Sequence, residues 1–478
     1  QYRNSVISIS ITFANGTEEN RFTIDSLEDL LAVSDNLSAH YKVTTSIDAS
    51  SITEPLGVLA GSIVGDNDYA AITGINIASV TAEENELYGG LFTSIANGAY
   101  IKSLTFEGNI SLPNLAMTIQ TGEGEEATQI TYENAYIGLI AGKLEGTLTN
   151  VSVELNASNI NVYESGNVYV GGLVGYNNGK IKQDFRKQNP NEDSSDNKES
   201  SVYVLYAYTL YMNGTLSVEY QNATVYVGGI TGYNNGLIKK IDGTENYTGY
   251  TNYMAYSLIE ANLVEGATAS KSYVGGIAGY AVSANNEQGI LGYSSEDAVY
   301  NVVTYRAGKG VIVGGEVSGP SYVGGVVGYL DATSYTEGDI DSFAGITTRT
   351  FVRSSSTNIG LLTGSLKVNN GIGLSSVFYI QAIDDRRVGE DASMLVVYSD
   401  ESVSLENYNN LAFGIGGANV GTFTSDQSYF ISYIRRTLIE IPEGETSITI
   451  SDSQDAYYGE AVIVNTNDEV IEQEFFDT

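Results

Sequence analysis

The chain has 478 residues, no cysteine, a single histidine and a formal net charge of −36. The acidity comes from scarce bases, 22 Lys and Arg against 58 Asp and Glu, so no basic surface is expected to displace counterions from nucleic acid or to meet anionic lipid. Disulfides, thiolate nucleophiles and Cys-ligated metals are excluded, and no apolar run reaches the roughly 18 residues that a membrane-spanning helix needs.

The first residue is Gln, which leads to the expectation that a targeting segment has been removed and that the protein is extracellular or at a cell surface. Residues 4–13 alternate, with Ile7, Ile9, Ile11 and Phe13 on one face and Ser8, Ser10 and Thr12 on the other, predicting a strand. Left unpaired, that face invites aggregation. Either it folds back onto its own chain, or it is donated to a second copy. Head-to-tail donation does not close and so builds a homopolymer. Residues 26–37 predict the one helix: Ser26-Leu-Glu-Asp29 opens it as a capping-box variant, and Leu27, Leu30, Leu31 and Ser34 share a side. It is expected to cap the open end of a stack of repeats.

Those repeats are near-copies of one phrase. They read Tyr136-Ile-Gly-Leu-Ile-Ala-Gly142, Tyr169-Val-Gly-Gly-Leu-Val-Gly175, Tyr226-Val-Gly-Gly-Ile-Thr-Gly232, Tyr273-Val-Gly-Gly-Ile-Ala-Gly279 and Tyr322-Val-Gly-Gly-Val-Val-Gly328; Tyr88-Gly-Gly-Leu-Phe92 precedes them and Ile359-Gly-Leu-Leu-Thr-Gly364 comes after. Such recurrence marks stacked units that cannot bury their apolar faces alone. The steps from Tyr88 are 48, 33, 57, 47 and 49 residues. A step near 48 suits two coils of about 24 residues, hence about 12 coils about 4.8 Å apart and a rod about 55 Å long. The irregular steps imply one shortened and one lengthened unit, the extra length lying in the polar segment 187–200.

Glycines every two or three residues rule out helix, and the pairs Gly171-Gly172, Gly228-Gly229, Gly275-Gly276 and Gly324-Gly325 suit tight corners that a Cβ would obstruct. Tyr136, Tyr169, Tyr226, Tyr273 and Tyr322 share one repeat position and predict a stacked ladder, the alternative being aromatic faces open to sugars. Beyond about residue 396 the phrase is gone, and 429–434, 446–450 and 461–464 read as strands of an antiparallel module. The expected fold is all-β: a parallel β-solenoid (β-helix) with an N-terminal strand, a short capping helix and a C-terminal antiparallel β module. Its parts are 1–21 (strand segment), 22–85 (entry and cap), 86–395 (solenoid) and 396–478 (C-terminal module).

The Gly-Leu-Val-Gly and Gly-Ile-Thr-Gly cores with their trailing Tyr-Asn-Asn-Gly resemble the GLUG-motif repeats of large microbial surface proteins related to filamentous adhesins. The helix-plus-strand entry Phe22–Asp48 is similar to the segment that precedes such repeats, while Glu54-Pro-Leu-Gly57 and Gly61-Ser-Ile-Val-Gly65 depart from the usual pattern. The resemblance spans roughly 22–366 and implies fold and location more than activity.

Catalytic chemistry has few carriers. His40 reads as a surface or capping residue, with no nucleophile motif pointing to it. Asp384-Asp385-Arg386-Arg387 could serve a β-helix polysaccharide lyase or glycosidase, yet adjacent strand residues face opposite ways and a charged tetrad is usually solvated. Acidic clusters at 66–68, 83–86, 123–126 and 337–341 leave Ca²⁺ open without matching a known loop spacing. No other cofactor is indicated: Gly-Gly-x-x-Gly without a following helix or Lys-Ser/Thr is not a phosphate loop. Eight Asn-x-Ser/Thr sequons, Asn15 to Asn246, are about what chance supplies. The function expected is therefore a non-enzymatic structural subunit of an extracellular filament, sheath or appendage. The alternatives are a surface adhesin for glycan or protein and, behind it, the lyase or glycosidase.

Overall fold

The computed structural model describes residues 14–66, 70–121, 128–184, 212–242, 252–265, 267, 270–284, 288–291, 311–334, 339–340, 346–354, 358–360 and 363–367, and beyond these the strands 373–374, 378–380, 431–433, 435–440, 458–464 and 470–477. The fold is mostly β and its main sheets are parallel.

One repeat suffices to show how the chain runs. Asn167–Gly171 alternates Val168 and Val170 inward with Tyr169 outward, forming a strand of a first, eight-stranded sheet. The chain bends at Gly172-Leu173 and enters a second eight-stranded sheet as Val174–Asn177. Asn178-Gly179 turns it again into Lys180–Asp184 of a third and largest sheet, which the chain rejoins at Met212–Tyr220. Thr224–Gly228 then pairs directly with Asn167–Gly171, in parallel and in register. Each repeat thus adds one strand to the first sheet, one to the second and a long or divided strand to the third.

Like pairs with like along the first sheet: Tyr88 with Tyr136, Tyr136 with Tyr169, Tyr169 with Tyr226, Tyr226 with Tyr273 and Tyr273 with Tyr322. The decayed copy joins the same register, Val323 against Ile359 and Gly324 against Gly360. The expectation of two coils per repeat, and with it 12 coils and a 55 Å rod, is therefore wrong. No strand intervenes between successive Tyr positions, so the five steps from Tyr88 to Tyr322 cover only about 24 Å at the usual strand spacing. The shortest repeat, 33 residues from Tyr136 to Tyr169, is one complete circuit, and its third-sheet strand Thr147–Val162 is unbroken. Longer repeats carry insertions. The hairpin Thr118–Thr121 with Thr128–Thr131 fills one. Another, 185–211, contains the polar segment 187–200, which lies outside the described residues between two strands of the third sheet. The 33-residue unit is thus the basic one.

The core lies between the sheets. Val170, Leu173, Val174, Ile181, Leu216 and Val218 are fully buried, and equivalent residues stack on them in neighbouring repeats. Asn177 and Asn234 are buried among them, the Asn177 amide donating to Asn234 Oδ1 at 2.6 Å while Gly179 N donates to Asn177 Oδ1 at 3.0 Å.

At the N-terminal end Phe22–Ile24 is, among the described residues, the last strand of the third sheet, parallel to His40–Val43. Helix Leu27–Leu31 is shorter than predicted and tightens into the 3₁₀ turn Ala32–Asp35. Ser26 caps it as expected, its Oγ accepting from Asp29 N at 3.2 Å and donating to Asp29 Oδ2 at 2.6 Å. Leu30 is buried and Leu27 packs against the core as predicted, whereas Leu31 and Ser34 are exposed and Val33 takes the inward position, which corrects that part of the predicted face. Thr81–Glu83 folds back antiparallel on Glu86–Gly89 and closes that end of the first sheet. Near the C-terminus, Arg435–Glu440 pairs in parallel with Tyr458–Val464, which pairs antiparallel with Val470–Asp477, so the described strands there form a mixed sheet, not the antiparallel one expected. Ile7, Ile9, Ile11 and Phe13 lie outside the described residues.

Candidate functional site

The feature that the sequence repeats most insistently forms a continuous column of rings. Tyr136, Tyr169, Tyr226, Tyr273 and Tyr322 form the predicted ladder, with centroids 5.0, 4.6, 4.9 and 4.8 Å apart and planes within 14° of parallel. Tyr88 extends it, tilted, at 5.7 Å.

A second ladder, not anticipated, runs beside the first. Tyr176, Tyr233, Tyr280 and Tyr329 stack at 5.1, 4.8 and 4.9 Å on the second sheet. The two columns meet edge to face, for example Tyr322 against Tyr329 at 5.5 Å and 81°. The signal was present: four of the predicted tyrosines have another Tyr seven residues on, and Tyr136 has Lys143 there.

Outward side chains of adjacent sheets can touch only if the sheets fold toward each other, and glycine makes that possible. A Cβ on Gly171 would sit 2.1 Å from Val174 O, and one on Gly175 would sit 2.3 Å from Ile137 N. Gly228, Gly275 and Gly324 make the same approach to Thr231, Ala278 and Val327. The second glycine of each pair serves the stacking direction: a Cβ on Gly172, Gly229 or Gly276 would lie 2.3, 2.2 or 2.3 Å from the carbonyl oxygen of the next repeat's glycine, ending at Gly325. Seven of the eight predicted structural glycines thus stand where a Cβ would meet backbone, and Gly325 supplies the carbonyl that a Cβ on Gly276 would meet.

Both ends of the ladder carry charge. Lys143 occupies the register position of Tyr176 and lies 4.1 Å from the Tyr136 ring centroid, a cation over an aromatic face. It also pairs with Glu86, which accepts from Tyr88 OH at 2.5 Å and from Tyr136 OH at 3.0 Å. Burial alone would favour the neutral acid, but the bonds from Lys143, Tyr88 and Tyr136 outweigh it and hold the Glu86 carboxyl below its usual range. At the other end Asp331 accepts from Tyr280 OH at 3.2 Å and lies 3.8 Å from Lys367 Nζ. There too burial opposes ionisation, and the bonds from Thr333, with Lys367 and Tyr280, prevail and lower its pKa.

The sequence places Glu86 only in an acidic cluster, 83–86. In the structure Glu84 and Asn85, at φ 46° and 69°, form the hairpin turn that delivers it to the ladder. Asp66 pairs instead with Lys42 at 3.3 Å. Among the described residues no three His, Cys, Asp or Glu side chains gather as a metal would require. Residues 67–68, 123–126, 337–338 and 341 lie outside them, as does Asp384-Asp385-Arg386-Arg387.

His40 begins a strand, half-buried, with Nδ1 2.8 Å from Ser62 Oγ. Arg21 donates to the same oxygen at 2.5 Å and to Tyr100 OH at 2.6 Å, and Tyr100 donates to Glu18 at 2.5 Å. Ser62 is fully buried, so its hydroxyl ties strands together and meets no substrate. A cavity of about 10 Å³ among Ile52, Pro55, Ile75 and Leu91 has space for one water.

No family model, curated protein or solved structure matches the chain.

Proposed function

We propose that the chain is a β-solenoid with one coil per repeat, of the kind that the GLUG-like motifs suggest, and that it serves as a structural subunit of an extracellular filament, sheath or surface appendage without catalytic activity. The in-register stacking of the same residues over successive repeats carries this reading. A continuous backbone ladder reinforced by stacked rings resists bending along its axis, and it grows by adding units without enlarging the cross-section. The faces of the ladder rings cover one another, which favours reinforcement over sugar stacking.

Assembly with copies of itself by strand donation remains part of this proposal. Among the described residues Phe22–Ile24 has one strand partner and ends the third sheet, and the segment carrying Ile7, Ile9, Ile11 and Phe13 precedes it in the chain. Backbone bonds would supply affinity and alternate apolar side chains specificity. The second reading is an adhesin that displays a glycan- or protein-binding module on the same rod.

Negative-stain microscopy of the full chain and of the chain lacking residues 1–13 tests the proposal. Polymers from the first and folded, unpolymerised rods from the second are expected, with unchanged β circular dichroism. Polymers from both, or saturable glycan binding by a chain that stays monomeric at every concentration, would contradict it.

A further inference from the structure

We propose that the tyrosine ladder is a one-electron relay, with the Tyr280–Asp331 pair and the Tyr88–Glu86–Tyr136 cluster as its two proton-accepting ends.

Three observations lead there. The rings are continuous: Tyr136 to Tyr322 is four stacked steps of 4.6–5.0 Å, and the second column runs alongside in edge contact. Phenols are the oxidisable groups among the aromatic side chains here, since the chain has no Trp. Oxidation makes a phenol strongly acidic, so a tyrosine gives up an electron readily only where its proton has somewhere to go. Glu86 and Asp331 are hydrogen-bonded acceptors for that proton, placed at opposite ends of the stack.

The steps balance. An outer-sphere one-electron oxidant removes an electron from Tyr280, whose hydroxyl proton passes to Asp331, leaving a neutral phenoxyl and a carboxylic acid. An electron from Tyr136 then moves through the stack to Tyr280, which takes its proton back from Asp331 while Tyr136 gives its own to Glu86. The net result is one electron on the oxidant, a phenoxyl at Tyr136 and a proton on Glu86. The Glu86 end holds the radical because Tyr88 and Tyr136 share one carboxylate that takes up the proton.

The absence of cysteine makes the test clean. A ruthenium polypyridyl photo-oxidant is attached at Ser334→Cys, an exposed site three residues past Asp331, and illuminated with a sacrificial electron acceptor and a nitroso spin trap; peptide mapping then locates the adducts. Adducts at Tyr88 or Tyr136 are expected in excess over Tyr163, which donates to Glu219 at 2.5 Å but lies outside the ladder. They should fall severalfold in Tyr226→Phe/Tyr233→Phe, which keeps the stack and removes oxidisable phenols from both columns. In Glu86→Gln they should fall while those at Tyr280 persist. Undiminished Tyr88 and Tyr136 adducts in either variant, or adducts confined to Tyr280 and Tyr329 in the intact ladder, would overturn the relay.

Discussion

At Gly229 a side chain would begin 2.2 Å from the Gly276 carbonyl oxygen, a backbone atom held in the next strand. Gly229→Val should therefore cost about 3 kcal/mol or more, at the upper end for overpacking, measured as a lower urea midpoint at unchanged slope. Gly98 is the contrasting case, with φ +85° and nothing near its absent Cβ. Gly98→Ala should cost only the left-handed strain, about 1 kcal/mol. The ladder tyrosines make a prediction in alkali. Burial raises the pKa of Tyr136, Tyr169, Tyr226, Tyr233, Tyr273 and Tyr280, with Glu86 adding at Tyr136 and Asp331 at Tyr280. A raised folded value means that the folded state keeps protons which the unfolded state loses. The stabilisation is thus complete below the ordinary tyrosine value of about 10 and is lost as pH rises above it toward the folded values. Tyrosinate absorbance and circular dichroism recorded together should show ladder ionisation coinciding with loss of β signal. Ionisation of all tyrosines near pH 10 with the sheets intact would contradict the buried ladder.

Between elements, the buried Asn column is the most sensitive contact. Asn234→Ala removes the acceptor of the Asn177 amide and should cost about 1–3 kcal/mol, because the donor left behind stays out of water. Asn178→Ala breaks only the exposed Asn235–Asn178 bond and should change stability by less than about 0.5 kcal/mol. Thermal denaturation of the two variants separates these outcomes. The same elements show what could be read in advance. Alternation in Asn167–Gly171, the Ser26 cap and the Tyr and Gly positions are local patterns, and each is found where the sequence placed it. The second Tyr column is written in the sequence as a Tyr seven residues on in four repeats, but its contact with the first depends on two sheets folding toward each other at Gly171 and Gly175, a tertiary event. Glu86 needed the hairpin turn at Glu84-Asn85 to reach the ladder. The predicted helix runs on past Leu31 and so puts Ser34 on the inner face, whereas the chain tightens into a 3₁₀ turn after Leu31 and Val33 is buried instead.

Over the whole molecule, repeat length misled where repeat identity did not. A 48-residue step contains one circuit plus an insertion, and the 33-residue step between Tyr136 and Tyr169 is the circuit without one. Insertions leave the pairing untouched because a parallel sheet constrains only the strands that it receives. The central claim, one third-sheet crossing per repeat in fixed register, can be tested by cross-linking in this cysteine-free chain. Ser217 pairs with Glu260, and Glu260 with Ser318. Neighbouring strands lie about 4.8 Å apart, within reach of a disulfide, whereas alternate strands at about 9.6 Å are not. Under mild oxidation Ser217→Cys/Glu260→Cys should close a disulfide nearly completely, and Ser217→Cys/Ser318→Cys should remain reduced. A reduced first pair, or an oxidised second one, would contradict the register on which the one-coil repeat depends.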